Sequence, residues 1–311
     1  KRGWSYYSSW FACPRLFAYR NRLRLQLGSA RPLTRGSMLH TMLAHQHARW
    51  GARQGGCYVG IEGDELVYVT DPDQLLDPEQ ALIAWVNRTV DKGTEVEEED
   101  ISRIQDCFRS WLAEHPEPHG QILWVETQVA GVVGHKAGEF GLWVVDGGMT
   151  TPDGVAVEPV LLGDERVEIT RRFDLVYRRA GAVYVCDHKG TGVFAPGRAK
   201  ESYAMDGGMA SQRILASQCF DDFRGFELHF IHTQPPYRSA RVAPKPTPFR
   251  DEQFAHQLLM AATAIKRLDD EKLDPWYWPQ TQVETGTCYN RYGMCGGFNL
   301  CAFGPRALEG M

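Results

Sequence analysis

Apolar residues recur at helical spacing through Met38, Leu39, Met42 and Leu43, and this pattern predicts a helix over 36–49. Residues 4–26 carry a similar pattern and read as one opening helix, with Ser8 or Ser9 as N-cap and Pro14 in the first turn. A short strand pair is expected over 57–69 around Gly63 and Asp64, followed by helices over 78–92 and 100–114. Beyond residue 120 the character changes. The stretches 121–133, 139–146, 155–162, 167–178 and 182–188 are short, rich in Val, Ile and Leu, and punctuated by Gly and Asp, as the strands and hairpins of one sheet would be. Helical spacing returns over 198–220 and 251–270, and from Asp274 the chain is loop-like. The order of helices, sheet and helices predicts an α/β (α+β) fold with a mixed β-sheet core flanked by helices, without internal repeats or a low-complexity linker.

A chain of 311 residues that is 43% hydrophobic and 23% charged has the make-up of a globular protein, which excludes disordered and collagen-like classes. No apolar run approaches the roughly 20 residues needed to cross a bilayer, so no membrane partner is expected. The start carries no charged-then-apolar leader, and a reduced, cytoplasmic setting is expected. The net charge of -5 gives no hint of nucleic acid, but its distribution does. From Lys1 to Arg35 there are eight basic residues, among them Arg15 and Arg20, and no Asp or Glu. Trp4, Tyr6, Tyr7, Trp10, Phe11, Phe17 and Tyr19 interleave with them. Such a stretch suits phosphate tracking and base stacking, or equally a solvated helix whose aromatics are core. The acidic run of Glu95 and Glu97 to Asp100 reads as a solvated loop or helix start.

The chemistry concentrates in two places. Arg172 to Tyr177 and Ala182 to Gly190 read as two strands joined at Arg179, Ala180 and Gly181. Centred near residue 180, such a hairpin sets Asp174 roughly opposite Asp187, and the period of two puts Asp187 and Lys189 on one face. Two carboxylates and an ammonium suit phosphodiester hydrolysis. Hard oxygen ligands hold Mg²⁺ or Mn²⁺, and a lysine nearby orients water or offsets charge developing on the phosphate. The bland reading of Asp-x-Lys is a surface salt bridge.

The second place is the cysteine trio Cys288, Cys295 and Cys301 in the tail, with Cys13 as the fourth candidate from the other end of the chain. Four thiolates suit zinc or an iron–sulfur cluster, and spacers longer than those of a zinc knuckle fit the larger cubane better. A four-thiolate clasp would replace core that a loop-like tail does not build. Cys57, Cys107, Cys186 and Cys219 fall in expected strands or helices and read as buried small hydrophobes.

Taken in order, Cys13-Pro14, Gly36-Ser37-Met38-Leu39-His40, Asp174, Asp187-His188-Lys189, Gln212 and the three tail cysteines resemble the PD-(D/E)XK nuclease superfamily. The resemblance is to its RecB-like branch of AddB-type nuclease domains, CRISPR-adaptation nucleases and phage exonucleases, and it runs over nearly the whole chain. It implies a restriction-endonuclease-like fold with an iron–sulfur clasp joining the N- and C-terminal segments. The expected organisation is a single nuclease domain over 1–311, with N-terminal helices at 1–50, a helical insertion at 51–120, the nuclease core at 121–220, and a C-terminal helix and iron–sulfur tail at 251–311. The resemblance also implies site roles. His40, Asp174, Asp187 and the backbone carbonyl of His188 would ligate Mg²⁺ or Mn²⁺. Lys189 would act on the attacking water, and Gln212 would hydrogen-bond near the site. Cys13, Cys288, Cys295 and Cys301 would hold a [4Fe-4S] cluster.

Glu126 falls where the family often has an acidic strand residue. The sequence departs from the family where Arg171 replaces a Gly three residues before the first Asp, and where Ala216 replaces a Tyr four residues after the Gln. Arg171, Arg172 and Tyr203 become candidate DNA contacts in their place. His45 and His47 lack family support and read as surface residues.

The function expected is a metal-dependent DNA exonuclease acting on ends or single strands, in recombination, repair or phage/CRISPR DNA processing. A helicase or a recombination or CRISPR protein would be its partner. The alternative is a non-catalytic iron–sulfur DNA-binding protein of the same fold.

Overall fold

The computed structural model describes residues 2–25, 31–61, 66–135, 142–145, 166–204, 206–245, 248–278, 289–290 and 293–294. In chain order the elements begin with β1 (Arg2–Gly3), α1 (Trp4–Ala12), α2 (Pro14–Asn21), α3 (Arg31–Arg53), β2 (Cys57–Val59), β3 (Val67–Val69), α4 (Pro78–Asp91) and α5 (Glu98–Glu114). They continue with β4 (Gln121–His135), β5 (Leu142–Val145), β6 (Arg166–Arg179), β7 (Ala182–Thr191), α6 (Pro196–Ala204), α7 (Gly207–Cys219), β8 (Phe223–His232), β9 (Ser239–Val242) and α8 (Pro248–Asp270). The strands form one mixed sheet in the order β3-β2-β4-β6-β7-β8-β9, with β1 beside β6 and β5 beside β4. The pairs β2–β4 and β7–β8 are parallel, whereas β4–β6 and β6–β7 are antiparallel. This is the restriction-endonuclease-like arrangement of a mixed sheet between helical layers.

Each face of the sheet has its own core. On one face Val176, Val183 and Val185 pack with Phe17 of α2, Leu215 of α7 and Leu258 of α8. On the other, Tyr177, Cys186 and Ile231 pack with Met38, Leu39, Met42 and Leu43 of α3, Leu82 of α4 and Trp111 of α5. The four apolar positions that announced α3 in the sequence are all fully buried. The acidic residues 98–100 form the first turn of α5, where they face the positive end of the helix dipole. Asp100 goes further than a solvated start: it is buried and accepts two hydrogen bonds from the Arg35 guanidinium, joining α5 to α3.

Three expectations need correction. The opening helix is two helices. Pro14 offers no N–H and disfavours helical geometry in the residue before it, so Cys13 is extended (φ -167°) and α2 starts afresh with Pro14 in its first turn. Ser9 does not cap. Its hydroxyl donates to the carbonyl of Tyr6 inside α1. The stretch 198–220 likewise divides into α6 and α7, because Asp206 accepts a hydrogen bond from the Met209 N–H and starts a new helix. Finally, β8 and β9 occupy a region left without elements. Phe226, Leu228 and Phe230 alternate onto one face of β8, a period of two that was available in the sequence. The expected strand at 155–162, the turn at Gly63 and Asp64, and the three tail cysteines lie outside the described residues. No helix among the described residues is long and apolar enough to cross a membrane.

Candidate active site

The β6–β7 hairpin turns on Ala180 and Gly181, both at positive φ (50° and 77°), the geometry of a two-residue primed turn whose twist matches the strands it joins. With Arg179 paired to Ala182, the register is set: Val176 faces Val185 and Leu175 faces Cys186, and Asp174 and Asp187 follow next to that last pair. Strand β4 adds a third carboxylate. Its pairing with β6 passes from Val125 and Leu175 to Thr127 and Phe173, which places Glu126 across from Asp174. Glu126 sits at φ 50°, a conformation uncommon for a residue with a side chain. Gly60, after β2, approaches its backbone so closely that an added Cβ would lie 2.6 Å from the Glu126 carbonyl oxygen. Three adjacent strands thus carry Glu126, Asp174 and Asp187 at one level of the sheet.

Neighbouring elements complete the group. His40, from α3, brings Nδ1 to 3.4 Å from Asp174 Oδ2, and that same oxygen accepts the backbone N–H of His188 at 2.8 Å. His40, Glu126 and Asp174 each present a ligand atom within 4.8 Å of the others. Asp187, only 4% exposed, is held from two sides. Lys189 Nζ lies 2.5 Å from its Oδ2, and Gln212 Nε2 of α7 donates to its Oδ1 at 3.3 Å. The Lys189 ammonium also lies 5.9 Å from the ring centre of Tyr203 on α6. A cavity of about 460 Å³ opens onto this group, lined by Gly36, His40, Glu126, Arg172, His188 and Lys189 among others.

Burial pushes the Glu126 carboxyl well above the usual carboxylate range, and the neighbouring Asp174 charge pushes it further, with Arg172 opposing. Burial also raises Asp174, against the pull of His40, while Asp187 adds to the rise. Burial disfavours the Lys189 ammonium, but the carboxylates of Asp187 and Asp174 outweigh it and hold the amine charged above its ordinary range. Two half-buried carboxylates that repel one another beside an imidazole are a donor set that a divalent cation offsets. Oxygen ligands with one nitrogen fit Mg²⁺ or Mn²⁺.

The residues singled out by the sequence separate into two groups. His40, Asp174, Asp187, Lys189, Gln212 and Tyr203 come together, and Glu126 joins them. Arg172 is exposed on the cavity wall. Arg171 is half-buried, with its Nε unpaired among the described residues; burial lowers its guanidinium below the ordinary range, and the Asp187 and Asp174 carboxylates oppose this. Arg15 and Arg20 are elsewhere: Arg15 Nε donates to the Trp278 carbonyl, and Arg20 is exposed on α2. Cys13 is buried between α1 and α2, and its three proposed partners lie outside the described residues.

His45 and His47, expected at the surface, are buried at 4% and 2% exposure, because α3 lies between the sheet and α4 and α5. His47 belongs to a file of imidazoles that sequence reasoning missed. Its ring stacks on His188 at 5.1 Å, His188 lies 5.4 Å from His229 of β8, and His229 lies 5.1 Å from His115. Burial, then Arg241 and His115, lower His47 to about 3. The seven-residue spacing of His40 and His47 puts both on one face of α3, a usable signal. His229 gave none while β8 went unrecognised.

Among known proteins, no curated sequence matches significantly. A solved structure described as the crystal structure of SSO0001 shares 14% identity over 58% of this chain and 71% of that one, with a TM-score of 0.31, a likeness too slight to bear on fold or function. The profile of the PD-(D/E)XK nuclease superfamily matches residues 5–206, a span that includes Cys13, His40, Glu126, Asp174, Asp187 and Lys189 and ends before Gln212. That span is well over half of the 311 residues, and the chain belongs to the PD-(D/E)XK nuclease superfamily.

Proposed function

We propose that the chain is a metal-dependent deoxyribonuclease of the RecB-like branch, an exonuclease acting on DNA ends or single strands in recombination, repair or phage/CRISPR DNA processing. The reading rests above all on the convergence of Asp174, Asp187 and Lys189 with His40 and Glu126 at the floor of an open cavity. His40, Asp174, Asp187 and the His188 carbonyl would hold Mg²⁺ or Mn²⁺, and we add Glu126 to this set. The cation, when bound, supplies a water of lowered pKa and offsets charge on the phosphate.

The remaining work falls to the chain itself. Lys189, kept protonated by its carboxylate neighbours, suits stabilising charge on the scissile phosphate and orienting water rather than accepting a proton. Gln212 fixes one oxygen of Asp187 and so leaves the carboxylate a single orientation. Arg172 on the cavity wall is placed to meet a backbone phosphate. Arg15, Arg20, Arg171 and Tyr203 remain candidate DNA contacts in this reading.

We further propose one nuclease domain throughout, a cytoplasmic setting, a helicase or recombination partner, and a [4Fe-4S] clasp through Cys13, Cys288, Cys295 and Cys301. The clasp would give a brown protein with broad absorbance near about 400 nm, which zinc would not.

The deciding experiment incubates 5′- and 3′-labelled single- and double-stranded DNA, and a circular substrate, with Mg²⁺ or Mn²⁺. The expected result is release of short products from linear DNA, sparing of circles, and loss of cleavage in Asp187→Ala and in chelator. Cleavage that survives both Asp187→Ala and chelator overturns the reading, and cleavage of circles replaces exonuclease with endonuclease.

A further inference from the structure

We infer that Cys186, His188 and His229 form a second metal site, for a transition metal ion of the zinc class, distinct from the carboxylate centre. Strands β7 and β8 run parallel with His188 directly beside His229, and Cys186 lies two residues before His188 on the same face. The thiol sulfur and one nitrogen of each ring lie within 4.8 Å of one another. Tetrahedral zinc with Zn–S near 2.3 Å and Zn–N near 2.0 Å sets its ligands roughly 3.5 Å apart, so the three donors need to close by at most about 1.3 Å, within the reach of side-chain rotation.

The need for a partner is visible in the burial. Cys186 and His229 are 0% exposed and His188 is 2% exposed, and neither nitrogen of either ring has a hydrogen-bond partner among the described residues. A buried polar group without a partner is costly, and one such nitrogen from each ring lies beside the Cys186 thiol. A metal ion satisfies one nitrogen of each ring at once. Burial holds the Cys186 thiol above its ordinary range, and Arg241 opposes this. Arg241 Nη1 of β9 donates to Cys186 Sγ at 3.9 Å and lies 3.8 Å from Glu227, which balances its charge. On binding, the Cys186 thiol gives up its proton to the bulk as the metal–sulfur bond forms. Sulfur and imidazole select zinc-class ions, whereas the carboxylates on the far side of β7 select Mg²⁺ or Mn²⁺, so the two sites do not compete for one ion.

The test counts metal in the purified full chain, stripped with chelator and dialysed against Zn²⁺, by inductively coupled plasma mass spectrometry. Cys186→Ala and His229→Gln should each hold one equivalent of zinc less than the parent. Folded variants, by far-ultraviolet circular dichroism, that hold as much zinc as the parent overturn the site. Should a variant not fold, ¹¹³Cd NMR of the cadmium-loaded parent decides alone. A resonance in the range of one-sulfur, two-nitrogen coordination is expected, separate from any four-thiolate signal of the tail. A spectrum with only all-oxygen or all-sulfur signals overturns the site and leaves the imidazoles to buried water.

Discussion

The two faces of β7 handle buried polar side chains in opposite ways. Asp187 and Lys189 point toward α7 and remain an ion pair, with the amine held charged above its usual range by two carboxylates after burial has worked against it. Cys186 and His188 point toward α3 and α5, where other imidazoles and Arg241 surround them, and there burial drives His188 and His229 far below the usual histidine range. Depth alone therefore does not set charge. A buried group stays ionised where opposite charges and hydrogen bonds meet it, and goes neutral where its neighbours share its sign.

The sharpest way to break this contrast is to remove the charge that one face keeps. Lys189→Ala should lower DNA cleavage about a thousandfold, or about 4 kcal/mol of transition-state stabilisation. Initial rates on end-labelled DNA at saturating Mn²⁺ measure this, and a rate within threefold of the parent would end the comparison.

The neutral face makes its own demand on pH. His47 titrates at about 3 when folded and near the ordinary 6.5 when unfolded, so the unfolded chain takes up a proton that the folded chain refuses. Its stabilising effect is complete above pH 6.5 and is lost as pH falls from there toward 3. The slope approaches about 1.4 kcal/mol per pH unit for this one group. Urea unfolding between pH 7.5 and 5 should show the decline, and His47→Phe should reduce the slope by His47's share while His188 and His229 keep theirs; an unchanged slope in the variant would assign the acid sensitivity elsewhere.

The smallest effect concerns the carboxylate face without its cation. Glu126→Gln removes one of two half-buried carboxylates that repel each other. In chelator the variant should be more stable than the parent by about 1 kcal/mol, and its gain on adding Mn²⁺ should shrink. Paired thermal melts check both, and a variant that gains as much from Mn²⁺ as the parent would remove Glu126 from the ligand set.

Much of the carboxylate site was legible because it is local. Asp174, Asp187 and Lys189 sit on one hairpin, and His40 follows Gly36 on a helix whose apolar spacing was plain. Gln212 was placed by its order in the chain, and it meets Asp187 even though the expected helix divides into α6 and α7 upstream of it. The imidazole file was illegible because its members come from α3, the C-cap of α5, β7 and β8. Taken singly, His47 has the look of a surface residue, and only the packing of α4 and α5 over α3 makes it a core one.

The sequence by itself determined the hairpin and its consequences. A turn near Arg179, Ala180 and Gly181 sets Asp174 roughly opposite Asp187, and the period of two puts Lys189 on the same face as Asp187; the pairing of Arg179 with Ala182 then fixes the register. Only the tertiary structure decided which distant strands lie alongside. The pairing of β4 with β6 makes Glu126 a third carboxylate, and the placing of β8 beside β7 gives Cys186 and His188 the company of His229. Short-range pairing follows from turn geometry and chain connectivity. Pairing across dozens of residues depends on which apolar faces bury together, and a linear pattern does not name the partner.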